Sequence, residues 1–187
     1  MGHTFIRTSI PEVIIIEPDI YKDHRGFFAE TYRNNSYCEN GINQPFVQDN
    51  HSHSKQNVLR GLHYQLKHPQ GKLVTALTGE IFDVAVDIRR GSPTFGKWIG
   101  VLLNSTNKRQ LWIPGGFAHG FYVISQTADV LYKCTGYYVP EDDFGIRWDS
   151  PELAIDWHCQ QPILSDKDRL YPTLKEMPES KLPVYHR

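Results

Sequence analysis

Hydrophobic and polar residues alternate along short segments in the middle of the chain, which is the pattern of β-strands. In residues 80–88, Phe82, Val84 and Val86 fall on one face of a strand, while Asp83 and Asp87 fall on the other. Similar runs rich in β-branched and aromatic residues predict strands at 72–77, 98–103, 110–113, 117–124 and 129–138. Many short strands separated by glycine, proline and asparagine turns predict an antiparallel sandwich or barrel.

The two ends of the chain differ from this strand-rich middle. Residues 34–39 are the best short helix candidate, and the proline-containing stretch from Ser165 predicts a loop with about one helical turn. With 187 residues, the chain has the length of about one domain. We therefore expect a single domain over 1–187, with an N-terminal strand extension at about 1–45, a barrel core at about 46–150 and a C-terminal loop and helical segment at about 151–187.

Charge and cysteine content narrow the class of protein. Lysine and arginine number 20 and aspartate and glutamate 21, so the formal net charge is −1 and the chain lacks the basic field that nucleic acid requires. The apolar runs are far too short to span a membrane, and we expect no export signal. Cys38, Cys134 and Cys159 are odd in number and lack the spacing of a zinc or redox pair. The sequence predicts a cytoplasmic protein with no nucleic-acid or membrane partner.

A histidine within a predicted strand is the first candidate for chemistry. In residues 60–65, regular alternation places His63 and Gln65 on one face, and Arg60, Leu62 and Tyr64 on the other. An imidazole that faces a barrel interior is costly unless its nitrogens find partners. Taken alone, the segment favours a hydrogen-bonded structural histidine over a functional one.

A second histidine, His119, follows a Pro-Gly turn, and this layout is similar to that of the cupin double-stranded β-helix. Metal-binding cupins usually carry H-x-H, then a glutamate, then the later histidine. Here Gln65 replaces the second histidine of the pair, and Glu80 lies too far along the chain. A catalytic zinc needs about three protein ligands. Because only two of the usual ligand positions are kept, we predict no metal.

Several further motifs follow one another in a fixed order from about residue 5 to about residue 172. They are DHRGFFAE (23–30), QDN (48–50), VLRGLHYQ (58–65), GKLV (71–74), GEIFDVAVD (79–87), SPTFG (92–96), FAHGF (117–121), YK (132–133) and LSDKD (164–168). With this set the chain resembles the dTDP-4-dehydrorhamnose 3,5-epimerase family, the sugar-nucleotide epimerases of dTDP-rhamnose biosynthesis. The resemblance implies an all-β cupin jelly roll with a short N-terminal strand extension and a few short C-terminal helical turns. It also implies a homodimer and a dTDP-linked 4-keto-6-deoxyhexose as substrate.

The chemistry of such a substrate can be matched to residues. Loss of a proton from C3 or C5, which flank the C4 ketone, gives an enolate, so the reaction needs a base, an acid on the opposite face and a group that stabilises the oxyanion. The resemblance implies that His63 is the base, that Asp168 orients it, that Tyr132 is the acid and that Lys72 meets the charge on O4. Sequence alone leaves plainer roles open: a turn-capping Asp168, a barrel-lining Tyr132 and a solvated Lys72. No redox cofactor is required, and no G-x-G-x-x-G follows a strand, so we expect no cofactor.

The resemblance also implies a set of substrate-binding residues. Forked and cationic side chains suit the diphosphate, and the positions implied for it are Arg25, Arg60, His119 and Lys167. Positions around the nucleotide are Glu30, Gln48, Asp49, Asn50 and Asp143, with Tyr138 stacked on the thymine. Asp143 stands where the family more often has glutamate, which puts that contact in question.

The sequence therefore predicts an isomerase that converts dTDP-4-dehydro-6-deoxy-D-glucose to dTDP-4-dehydro-L-rhamnose by epimerisation at C3 and C5. Two alternatives stay open. A related cupin can act at only C3 or only C5, or move the ketone as an isomerase. A cupin can also be a non-catalytic sugar-binding module, although such a module has no need of the acid–base set of His63, Tyr132 and Asp168.

Overall fold

The computed structural model describes residues 2–159 and 161–186. The strands are β1 (His3–Arg7), β2 (Ile14–Pro18), β3 (Ile20–Asp23), β4 (Gly26–Ala29), β5 (Gln48–Lys55), β6 (Leu59–Gln65), β7 (Lys72–Thr78), β8 (Glu80–Asp87), β9 (Trp98–Asn104), β10 (Gln110–Ile113), β11 (Phe117–Val123), β12 (Thr127–Cys134) and β13 (Asp143–Gly145). The helices are α1 (Asn34–Glu39) and α2 (Asp166–Leu170), with short 3-10 turns at Pro140–Asp142 and Glu179–Lys181. No helix in these described residues is long and apolar enough to cross a membrane.

Two antiparallel sheets form the body of the molecule. One has the order β1-β2-β10-β7-β12-β5 and the other the order β13-β6-β11-β8-β9, while β3 and β4 form a separate hairpin. This arrangement confirms the prediction of an all-β jelly roll with an N-terminal strand extension and short C-terminal helical turns. The 34–39 helix prediction coincides with α1.

Both faces of β8 are buried, and each contacts a different part of the core. Ile81 and Ala85 belong to the cluster between the two sheets, whereas Phe82, Val84 and Val86 belong to a second cluster on the outer face of their sheet. Side chains of the C-terminal segment cover this second cluster, namely Ile146, Leu153, Trp157, Leu174, Met177 and Leu182. The C-terminal segment is therefore part of the core, and its burial of apolar surface holds it against the barrel.

The regular alternation predicted for residues 60–65 is wrong at Arg60, because β6 contains a bulge. His119 of β11 pairs with His63, but Phe121 pairs with Arg60, so β6 has one more residue than β11 over this stretch. The extra residue returns Arg60 to the inner side, where its Nε donates to Ser54 Oγ at 3.0 Å. At Gly61 a Cβ would lie 2.5 Å from Gly120 Cα, so this close approach of β6 and β11 requires glycine.

The predicted strand at 129–138 is too long, because β12 ends at Cys134. Beyond it, side chains replace the backbone ladder as hydrogen-bond acceptors. Gln48 Oε1 accepts from the Tyr138 N–H at 2.9 Å, and Gln65 Oε1 accepts from the Val139 N–H at 2.8 Å. These contacts direct Tyr138 to one end of the barrel instead of along the sheet.

Candidate active site

A cavity of about 260 Å³ opens at that end of the barrel, between the two sheets. The residues that line it are Gln48, Asn50, His63, Tyr64, Gln65, Gln70, Lys72, Tyr132, Tyr138 and Asp143. His63 comes from β6 in the five-stranded sheet, whereas Lys72 and Tyr132 come from β7 and β12 in the six-stranded sheet. The imidazole therefore faces the cavity from one wall, and the phenol and the ammonium face it from the other.

His63 is paired with a carboxylate at the edge of the cavity. Its Nε2 lies 2.6 Å from Asp168 Oδ1, and the Asp168 side chain is 4% exposed against 34% for His63. Asp168 is held in α2, where Ser165 caps the helix by accepting from the Asp168 N–H at 3.1 Å. Burial alone would raise the pKa of Asp168, but the hydrogen bond and charge of His63 bring that pKa below its ordinary value. Asp168 thus stays ionised and holds the imidazole through Nε2.

Tyr171, which the sequence analysis missed, forms an aromatic wall beside His63. The two ring centroids lie 5.8 Å apart with an interplanar angle of 68°, an edge-to-face arrangement. A Cβ on Gly145 would lie 2.3 Å from the Tyr171 ring, so glycine makes room for it. Burial raises the pKa of Tyr171 to about 12. The only sequence signal was an aromatic residue three positions after Asp168, which says nothing about where the ring packs.

Burial also affects the two ionisable groups on the facing wall. It raises the pKa of Tyr132, so the phenol keeps its proton at neutral pH. It lowers the pKa of the Lys72 ammonium, although nearby Cys134, Asp143 and Asp83 oppose this effect. The cavity therefore presents a protonated phenol and an amine that is more easily deprotonated than usual.

A polar cluster of Tyr138, Asp143 and Lys167 stands at the mouth of the cavity. Asp143 Oδ2 accepts hydrogen bonds from the Tyr138 hydroxyl at 2.9 Å and from Lys167 Nζ at 2.5 Å. Burial lowers the pKa of Lys167, but the hydrogen bonds and charges of Asp143 and Tyr171 together outweigh this effect and raise the pKa. Aspartate is one methylene shorter than the glutamate that the resembled family more often has at this position, yet Asp143 reaches both Tyr138 and Lys167.

Two other predicted substrate contacts lie near the cavity without lining it. Arg60 flanks a separate opening on the other side of His63, together with Ser165 and Lys167. His119 lies deeper in the barrel, where its Nε2 is 2.7 Å from Asp83 Oδ1. It pairs with His63 across β11 and β6, so the two imidazoles are neighbours.

Three predicted contacts lie outside the cavity within one chain. Arg25 follows β3 in the hairpin turn and forms an exposed ion pair with Asp23 at 2.6 Å. Glu30 follows β4, and its Oε2 pairs with Arg33 at 2.7 Å. Asp49 lies on the outward side of β5, where both carboxylate oxygens accept from Lys133 Nζ at 2.9 Å.

Two glutamines line the cavity and an aspartate is buried behind it, and the sequence analysis assigned none of the three to the site. Gln65, considered there only as a lost metal ligand, donates to the carbonyls of His68 and Tyr137 and so shapes the cavity. Gln70 lines the cavity and donates to the Gly136 carbonyl at 2.6 Å. Asp83 appeared only as one member of an alternating pattern. Within residues 2–159 and 161–186, no group of three or more His, Cys, Asp or Glu side chains is arranged to hold a metal ion.

Comparison with known proteins gives consistent matches over most of the chain. The family model described as dTDP-4-dehydrorhamnose 3,5-epimerase matches residues 7–176. A Pseudomonas aeruginosa dTDP-4-dehydrorhamnose 3,5-epimerase is 57% identical over 166 residues, which cover 87% of this chain and 91% of that protein. An Escherichia coli protein of the same name is 54% identical over 181 residues, covering 95% and 97%. A crystal structure of a Legionella pneumophila dTDP-6-deoxy-D-glucose-3,5-epimerase, in complex with dTDP-4-keto-L-rhamnose, is 55% identical with a TM-score of 0.97 and full coverage of both chains.

Proposed function

The chain belongs to the dTDP-4-dehydrorhamnose 3,5-epimerase family of isomerases, and from this premise we propose that it epimerises dTDP-4-dehydro-6-deoxy-D-glucose at C3 and C5. The product is dTDP-4-dehydro-L-rhamnose. The observation that carries the proposal is the two-walled cavity, with a His–Asp pair on one side and a tyrosine and a lysine on the other. A carbon centre inverts when one face loses a proton and the opposite face gains one, and this requires two groups on opposing walls.

His63 is the proposed base. Asp168 accepts from one ring nitrogen at 2.6 Å and fixes the tautomer, which leaves the other nitrogen with a lone pair for the proton on C3 or C5. As the imidazole becomes cationic, the ionised Asp168 stabilises it. General-base catalysis of this kind contributes about 10²- to 10⁴-fold to the rate.

Tyr132 and Lys72 are the proposed acid and oxyanion stabiliser. The raised pKa of Tyr132 keeps its proton available for delivery to the far face of the enolate. The Lys72 ammonium meets the negative charge that develops on O4, a role that is worth roughly 3–4 kcal/mol for a single oxyanion donor. Since burial lowers the pKa of Lys72, the acidic neighbours that oppose this effect support its charged form.

The mouth of the cavity is the proposed nucleotide site. Gln48 and Asn50 line its wall, Tyr138 offers a half-exposed ring on which a thymine can stack, and Asp143 lies beside it. Lys167 and Arg60, which both line the opening next to His63, supply positive charge for the diphosphate. A few local cations suffice for a doubly charged ligand in a chain whose net charge is −1.

We also propose that the active form is a homodimer. Arg25 and Glu30 lie away from the cavity of their own chain, on or beside a hairpin whose Phe27 and Phe28 are both more than half exposed. A second copy that buries these rings would bring the two charged residues to the partner's nucleotide site. The three cysteines are free thiols, which suits the reducing cytoplasm as the compartment.

Proton NMR of the keto-sugar nucleotide in D₂O tests the reaction. With the wild-type protein we expect solvent deuterium to enter at both C3 and C5, together with formation of the L-rhamno product. Exchange at one carbon alone would replace the proposal with a single epimerase. Exchange at neither carbon, with dTDP still bound, would point to a sugar-binding module.

Complementation between two inactive variants tests the dimer. Arg25→Ala chains keep His63, and His63→Ala chains keep Arg25, so a mixed dimer would contain one complete site. Random mixing then restores about one quarter of wild-type activity, since half of the dimers are mixed. No recovery in mixtures that light scattering shows to be dimeric would contradict the sharing of Arg25.

A further inference from the structure

Asp83 is a fully buried carboxylate inside the barrel to which the proposed reaction gives no role. It lies on the inner face of β8 between Ile81 and Ala85, and its exposed fraction is 0%. Oδ1 accepts from His119 Nε2 at 2.7 Å, but Oδ2 is buried and makes no hydrogen bond to any residue that the structure describes. Burying a carboxylate oxygen without a hydrogen-bond partner costs free energy in apolar surroundings, so the presence of Asp83 at this position calls for an explanation.

Two neighbours, His119 and Lys72, connect Asp83 to the cavity. His119, its hydrogen-bond partner, pairs directly with His63 across β11 and β6, so the Asp83–His119 pair stands beside the His63–Asp168 pair. Lys72 lies two residues before Val74, which belongs with Ile81 and Ala85 to the cluster between the two sheets, so the Lys72 and Asp83 side chains enter the same interior from facing sheets. The charge of Asp83 raises the pKa of the Lys72 ammonium. The carboxylate thus lies behind the sugar end of the cavity, away from the nucleotide cluster at the mouth.

The geometry of the pair limits what it can do. His119 is 7% exposed and Asp83 is 0% exposed, so neither side chain has the access to solvent that a proton-exchanging base needs. A fixed carboxylate on one ring nitrogen nevertheless holds the tautomer and the ring angle of the imidazole on the strand next to His63. The second oxygen, Oδ2, is buried inside the barrel without a hydrogen-bond partner among the described residues, so it is available to a cationic neighbour.

We propose that Asp83 is a positioning residue for the sugar end of the site: it locks the His119 imidazole through Nε2, and its free oxygen supplies a counter-charge to the Lys72 ammonium. This role rests on the proposed epimerase function. It predicts that loss of the charge disturbs the chemical step, where Lys72 meets the enolate, and leaves binding of the nucleotide intact.

Asp83→Asn tests the proposal, because it keeps the size of the side chain and removes the charge. We expect kcat to fall by about 10- to 100-fold, as when a partner that orients a functional group is lost, with KM and the dissociation constant for dTDP within about twofold of wild type. Asp87→Asn is a matched control. Asp87 is equally buried, on the same face of the same strand, but it bonds to Arg89, Ser92 and Thr94 outside the cavity. We expect the Asp87→Asn protein to have a lower melting temperature than the wild type, with kcat and KM unchanged.

Nitrogen-15 NMR of the labelled imidazoles gives a second measurement that needs no turnover. In the wild type His119 should be a single tautomer with its proton on Nε2, and Asp83→Asn should shift or broaden that resonance while Asp87→Asn leaves it in place. An Asp83→Asn protein with unchanged kcat, or with unchanged His119 resonances, would overturn the proposal. If the wild type itself fails to exchange C3 and C5 protons, the epimerase function falls, while the imidazole spectra still decide whether Asp83 holds His119.

Discussion

Of the His–Asp pairs in the described residues, the two formed by His63 and His119 have histidines opposite each other on adjacent strands, yet these two pairs differ in almost every other respect. His63 is 34% exposed, and its carboxylate arrives from α2, 105 residues along the chain. His119 is 7% exposed, and its carboxylate comes from the neighbouring strand β8. A His–Asp hydrogen bond therefore does not by itself define a base. Access of the imidazole to the cavity distinguishes the proposed base, His63, from the buried His119.

Removal of the accessible imidazole should have the largest effect. We expect His63→Ala to lower kcat by about 10²- to 10⁴-fold and to abolish deuterium exchange at C3 and C5, because His63 is the only histidine among the described residues that line the cavity. Binding of dTDP, measured by calorimetry, should be nearly unchanged. His158→Ala is the control, since His158 also lies near an aspartate, Asp156, but on the surface. Exchange that persists in His63→Ala would remove the distinction between the two pairs.

A change on the facing wall should separate loss of the acid from loss of the base. In Tyr132→Phe we expect product formation to fall by about 10²-fold while deuterium exchange survives, because His63 can still remove a proton and return it to the same face. NMR that follows exchange and product in one sample makes this measurement. Equal loss of deuterium exchange and product formation would mean that Tyr132 assists proton removal by His63 and is not the acid on the opposite face.

A smaller effect should follow from loss of the aromatic ring that packs edge-to-face against the accessible imidazole. Tyr171→Ala removes the edge-to-face contact with His63 and lets water reach the His63–Asp168 hydrogen bond. We expect kcat to fall by about 10-fold, since modest misplacement of a reacting group is enough for such a loss. Leu170→Ala, which changes an 83% exposed neighbour, should leave kcat at its wild-type value. A kcat in Tyr171→Ala equal to that of Leu170→Ala would show that the hydrogen bond alone orients the ring.

The smallest effect concerns stability in acid. The pKa of Asp168 is lower in the folded state than in the unfolded chain, so its contribution to stability is present above the unfolded pKa and is lost as pH falls through the folded value. The free energy of unfolding of the wild type should therefore decrease more steeply below about pH 4 than that of Asp168→Asn. Urea titrations at a series of pH values measure the two slopes. Parallel slopes would mean that His63 does not stabilise the ionised carboxylate.

The local sequence pattern predicted most of the strands, because the alternation of β-branched and aromatic residues can be recognised within each segment alone. The bulge in β6 escaped this reasoning, since an extra residue is defined only against the partner strand that lacks it. The end of β12 escaped it as well, because the acceptors that replace the ladder come from Gln48 and Gln65, far away in sequence.

The candidate site shows the same difference between what a local pattern predicts and what depends on distant residues. Resemblance to a family supplied His63, Tyr132, Lys72 and Asp168, which meet at one cavity, as predictions of role that experiments still have to test. It could not reveal that Arg25 and Glu30 lie away from the cavity of their own chain, because a list of functional positions carries no information about where each residue lies in the fold. Asp83 was hidden for a simpler reason. In an alternating strand, a buried acid and a solvated one look the same until the opposite sheet is in place.

The short helix α2 has a consequence for how the protein is made. It carries Asp168 and Lys167, and it docks on a barrel whose strands β5 to β12 are all encoded upstream. On a chain emerging from the ribosome, both walls of the cavity are therefore synthesised before the carboxylate that pairs with His63. The hydrogen bond between His63 and Asp168 consequently forms only after α2 has been synthesised and has docked against β6.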